Sequence, residues 1–175
     1  MRQRGWIWSL GLLGILLLGW GASRGVDLWR SEAMLSKARQ AIERGEFAKA
    51  LPWLTWLSTE RLGQGEAALL LGDCEVALGH PEAALTAWAR VPSNSPWATE
   101  ADLCRGRQAI ETGRLAEAEE ALIRVINKKE SQATEARELL IRLFWREARF
   151  DEVSALIETH WDDLRRTSRL STIIQ

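Results

Sequence analysis

The stretch GHPEAALTAW, residues 79–88, sets a glycine, a proline two places later, a run of small residues and a tryptophan within one short span. A glycine that closes a helix reaches positive φ without steric cost. A proline just beyond it fits the first turn of the next helix, where its missing N–H would be unpaired anyway. The stretch therefore predicts a tight turn between two helices. Related stretches stand at GEFAKA (45–50), GRLAEA (113–118) and ARFDEV (148–153), at intervals of 34, 34 and 35 residues. Such regular spacing of one chemistry predicts an internal repeat of a helical hairpin. Apolar residues at helical period flank the motif, as in EAALLLGDCEVALG (66–79) before it and PEAALTAWARV (81–91) after it.

Within each unit a small residue follows the turn glycine by five places (Ala50, Ala84, Ala118), which lets the second helix approach the first. Four places later a large apolar residue (Leu54, Trp88, Leu122) fills the space beyond that contact. The period and these residues resemble the tetratricopeptide repeat. The resemblance implies an all-α fold, a solenoid of about four helix-turn-helix units at 31–64, 65–98, 99–132 and 134–167, with a tail at 168–175. Its turn residues are Gly45, Gly79, Pro81, Gly113 and Ala148. Unit two carries the pattern best, with Leu71, Gly72, Gly79, Ala84, Trp88 and Pro96; unit three carries Gly106, Ala109, Gly113, Leu115, Ala118 and Leu122. Unit one departs with Lys37-Ala38 and with Pro52 in its second helix, and unit four with Ala148 and Val153. Residues 88–122 bear a weaker resemblance to the repeats of membrane-anchored bacterial proteins in which such an array precedes a β-propeller. No propeller sequence is present.

The resemblance also implies a right-handed superhelix whose first helices line a concave groove for a protein or peptide. Carried over position by position, the groove residues are Arg39 and Ile42, then Leu69, Asp73 and Val76. Leu103, Arg107, Ile110 and Glu111 follow, and then Glu138, Arg142, Trp145 and Arg146. Apolar positions beside four arginines would suit an extended peptide with an apolar anchor and an acidic group; ordinary solvated helix faces are the plainer alternative. The Lys and Asn pattern with which chaperone-binding members clamp a C-terminal carboxylate is absent.

Residues 1–25 read differently. Arg2 and Arg4 precede a stretch without charge from Gly5 to Ser23, long enough to reach about 27 Å as a helix. Trp6, Trp8 and Trp20 flank it as interfacial aromatics do, which favours an uncleaved single-pass anchor in the cytoplasmic membrane. The small residues Gly21 and Ser23 keep a cleaved signal peptide open. With a short basic N-terminus inside, the array should be extracytoplasmic. Residues 1–30 carry a net charge of +3 and the remainder −4, so no concentrated basic face for nucleic acid is expected.

Catalysis has little support. His80 and His160 stand 80 residues apart with no nucleophile at motif spacing, so no enzyme, cofactor, metal site or small-molecule substrate is expected. Cys74 and Cys104 fit no zinc spacing; free thiols are the simpler expectation, with a disulfide left open. Trp53 and Trp56 make the second helix of unit one apolar over most of its girth, and the segment around Trp29 is expected to cover it. Unit four is followed only by LRRTSRLSTIIQ (164–175), short for a capping helix. The leading expectation is a membrane-tethered, non-catalytic interaction scaffold. A docking or spacer segment of a larger envelope protein and a secreted periplasmic module are the alternatives.

Overall fold

The computed structural model describes residues 29–59, 64–128 and 131–166. The described residues form eight helices and no strand: α1 (29–43), α2 (Phe47–Thr59), α3 (Gln64–Ala77), α4 (Pro81–Trp88), α5 (Ala98–Glu111), α6 (Leu115–Lys128), α7 (Ala133–Arg146) and α8 (Phe150–Arg166). Each helix from α3 onward packs on the one before it. In addition α5 touches α3 and α7, so the first helices of successive hairpins form a row.

The four turns share one hydrogen-bond pattern. Gly45, Gly79 and Gly113 have φ of 72°, 80° and 75°, and Ala148 joins them at 57°. In each, the N–H of the following residue reaches back to the carbonyl five residues earlier: Glu46 to Ala41 and His80 to Glu75 at 2.8 Å, Arg114 to Ala109 at 2.8 Å, Arg149 to Phe144 at 2.9 Å. The left-handed residue itself donates to the carbonyl three back, at 2.9–3.2 Å. This double closure satisfies two carbonyls that the helix end leaves open. The residue after it then starts the next helix, with Pro81 in the first turn of α4.

Alanine in the left-handed region costs roughly 1 kcal/mol that glycine does not. Ala148→Gly should therefore raise stability by about 1 kcal/mol, read as a higher urea midpoint at unchanged slope. The reverse exchange, Gly113→Ala, should lower it by about as much. Nothing lies within 4 Å of a Cβ built on Gly113, so that loss is purely conformational.

Two other glycines have a packing role. A Cβ on Gly72 would lie 2.3 Å from Trp88 Nε1, and one on Gly106 would lie 2.6 Å from Leu122 Cδ2. In the second and third hairpins the first helix thus gives up its side chain where the second helix inserts its large residue. Trp88 and Leu122 are buried by this arrangement.

The core has two clusters. One joins Ala38 and Ala41 of α1, Ala50, Leu54 and Leu57 of α2, Ala67, Leu71 and Cys74 of α3 and Ala87 of α4. The other runs from Leu69, Leu85 and Trp88 through Leu103, Leu122 and Val125 to Leu140, Phe144 and Val153.

Several local expectations change. Gln64 and Gly65 open α3, and Gly65 packs against Ser95. Helix α4 ends at Trp88, shortly before Pro92, which disfavours helical backbone at the residue preceding it. As expected, helix α2 runs through Pro52. Trp53 packs on the first cluster, but Trp56 is 40% exposed and Trp29 itself is 72% exposed, so the expected cover does not form at Trp29. Among the described residues no helix is long and apolar enough to cross a membrane. The expected anchor at 1–25 and the tail at 168–175 lie outside the described residues.

Candidate functional site

Between α3 and α5 lies a cleft of about 320 Å³. Asp73 and Val76 of α3 form one wall, and Cys104, Arg107, Gln108 and Glu111 of α5 form the other. Trp88 of α4 reaches the cleft because Gly72 leaves room for its ring. Its indole N–H donates to the Leu69 carbonyl at 3.1 Å, which fixes the ring against α3. Gln108 Nε2 donates to Glu111 Oε2 at 3.1 Å across one turn of α5.

Desolvation dominates the acid-base chemistry here. Partial desolvation by the cleft walls pushes the exposed Asp73 carboxyl up to about 6; the nearby Trp88 indole N–H opposes the shift and the charge of Glu100 adds to it. Burial likewise pushes the thiols of Cys74 and Cys104 up to about 11, helped at Cys74 and at Cys104 by the nearby Asp73 charge. Both thiols are free. At neutral pH they are protonated and poor nucleophiles.

Ion pairs link the row of first helices. Arg39 of α1 donates through Nε to Glu66 Oε1 of α3 at 2.9 Å, and Arg107 of α5 donates through Nε to Glu135 Oε1 of α7 at 3.1 Å. A second set follows the turns: Arg114 Nη1 reaches Glu82 Oε2, and Arg149 Nη1 reaches Glu119 Oε2, both at 2.7 Å. Within the third hairpin Asp102 accepts two bonds from Arg124 at 3.0 and 3.1 Å, with Arg105 Nη1 3.7 Å away. Arg105 and Arg124 are also held by Glu117 and Glu120, so these cations lock α5 to α6.

The expected groove residues separate into four groups. Asp73, Val76, Arg107 and Glu111 meet at the cleft. Leu69, Leu103 and Glu138 do not face solvent: they are 3%, 4% and 5% exposed. All three hold the fifth position of their units. Ile42 and Ile110 are half-buried against the two clusters. Arg39, Arg142, Arg146 and Trp145 are exposed but belong to other hairpins. Trp145 stands edge-on to Phe150 at 5.3 Å. Among the described residues no ion pair reaches Arg142 or Arg146.

Sequence reasoning missed Glu66, Glu100 and Glu135, although a signal was present: glutamate holds the second position of all four units, at 32, 66, 100 and 135. It also assigned Trp88 to the scaffold alone and passed over Cys104 and Gln108. His80 stands at the N-cap of α4, its Nδ1 2.9 Å from Glu75 Oε2, and His160 stands at a kink in α8. Among the described residues no three His, Cys, Asp or Glu side chains cluster as metal ligands would. No protein-family model and no curated protein matches the chain, so its function rests on the geometry just described.

Proposed function

We propose that the chain is a non-catalytic interaction scaffold of the tetratricopeptide type, which binds a protein or peptide along its row of first helices. It is tethered to the cytoplasmic membrane through residues 1–25, with the helical array outside. The observation that carries the binding role is the cleft between α3 and α5, where an apolar floor meets charged walls on the same row of helices. Extended peptides are held by such a combination of side-chain pockets and fixed charges. Support for the tether is the uncharged, tryptophan-flanked stretch behind Arg2 and Arg4.

Photo-cross-linking tests the reading. A photoreactive amino acid at Val76, in the full chain in native membranes, should capture a defined protein set. The same group at the exposed Glu120, on α6, should not capture it. Identical sets from both positions would remove the cleft as the binding surface.

A further inference from the structure

The ion pairs along the first helices follow a rule: the ninth residue of one unit reaches the second residue of the next. Arg39 meets Glu66 at the first junction, and Arg107 meets Glu135 at the third. The middle junction breaks it. There the ninth residue is Asp73 and the second is Glu100, so two carboxylates occupy the places held elsewhere by a cation and a carboxylate. This is also the junction that contains the cleft.

We propose that the partner supplies the missing cation: a lysine or arginine side chain enters the cleft between α3 and α5 and its charged head pairs with Asp73 and Glu100. This rests on the binding role proposed above and specifies the chemistry of the bound group. It also reverses the expectation of an acidic ligand. Arg39 and Arg107 are already engaged by Glu66 and Glu135, so an anionic ligand would have to displace a carboxylate from each. A cation displaces nothing. Val76, Cys104 and the buried Trp88 ring line the cleft and provide apolar surface for the aliphatic stem.

The electrostatics of the cleft agree with its geometry. Asp73 is exposed at the cleft, and partial desolvation by the cleft walls together with the charge of Glu100 raises its carboxyl to about 6, so a cation beside it would favour the ionised form. The groups that face Asp73 are Cys74 and Glu75 on its own helix, and Glu100, Cys104, Arg107 and Glu111 on α5; Glu135 of α7 holds Arg107, and His80 at the start of α4 is held by Glu75. Only ionised Asp73 attracts a cation, so affinity should rise as the pH is raised through about 6 and fall below it.

The test uses the full chain in detergent and short acetylated, amidated peptides identical except for a central arginine, lysine, norleucine or glutamate. Calorimetric titration should show binding of the two cationic peptides and weaker or no binding of the others. The variant Asp73→Arg gives the middle junction the Arg–Glu pair of its neighbours. It should melt at a higher temperature than the parent yet bind the arginine peptide at least about tenfold more weakly. The isosteric Asp73→Asn should weaken that binding without the gain in melting temperature and should flatten its pH dependence. Equal affinity for the norleucine and arginine peptides, or unchanged affinity in both variants, overturns the cation assignment and leaves the binding role standing. Failure of every peptide to bind overturns both.

Discussion

Trp88→Ala is expected to cost about 3–5 kcal/mol, the range for removing a buried tryptophan. The ring is buried and contacts both helices of its own hairpin. It fills the gap that Gly72 leaves, and its N–H holds the Leu69 carbonyl. Alanine would leave a void that neighbouring helices can close only by shifting α4, which is only 8 residues long. Chemical denaturation followed by circular dichroism reads the effect as a lower midpoint. Trp88→Phe keeps most of the volume but loses the hydrogen bond, and should cost about 1–2 kcal/mol. A loss below about 1 kcal/mol for Trp88→Ala would mean that the ring does not pack as described.

Gly72→Ala should destabilise by about 1–3 kcal/mol, although alanine is the better helix former by about 1 kcal/mol. Its Cβ would stand 2.3 Å from Trp88 Nε1 and 2.5 Å from both Cδ1 and Cε2. These are atoms of a rigid ring in a filled site, so α3 and α4 must part. The cause can be isolated by a double-mutant cycle. In a Trp88→Ala background the clash is gone, only the helix-propensity gain remains, and Gly72→Ala should become neutral or stabilising by up to about 1 kcal/mol. A cost that persists in that background would trace the effect to something other than the ring. Gly106→Ala meets the flexible Leu122 side chain instead, and should cost less for that reason.

The turns were legible in the sequence because positive φ and a first-turn proline are properties of single residue types. Ala148 shows the limit of that logic: its residue type argues against the left-handed region, and only the spacing placed it at φ 57°. The repeat also made the small-against-large contact visible at Ala84 and Trp88. The binding face was harder to read. Whether a fifth-position residue faces a groove or a neighbouring helix depends on how closely successive hairpins approach, which a single period does not encode. Leu69 and Leu103 were apolar enough to suit either place, whereas Glu138 carries a charge and is buried all the same. The ladder of ion pairs was written in the recurring glutamates, but their partners come from the preceding unit. Identifying them required knowledge of the junction, and the exception at Asp73 gained meaning only beside its neighbours.

Of the two apolar clusters, neither is complete without α3 and α4. One uses Leu71, Cys74 and Ala87 from this hairpin, and the other uses Leu69, Leu85 and Trp88. In a chain of hairpins, order passes only from neighbour to neighbour. The second hairpin is therefore the relay through which α1 and α2 sense α5 to α8, and loosening it splits one cooperative unit into two. The cleft opens on this relay. An occupant bound to the folded cleft would add its binding free energy to the coupling between the two ends of the array, making recognition and cooperativity a single thermodynamic quantity.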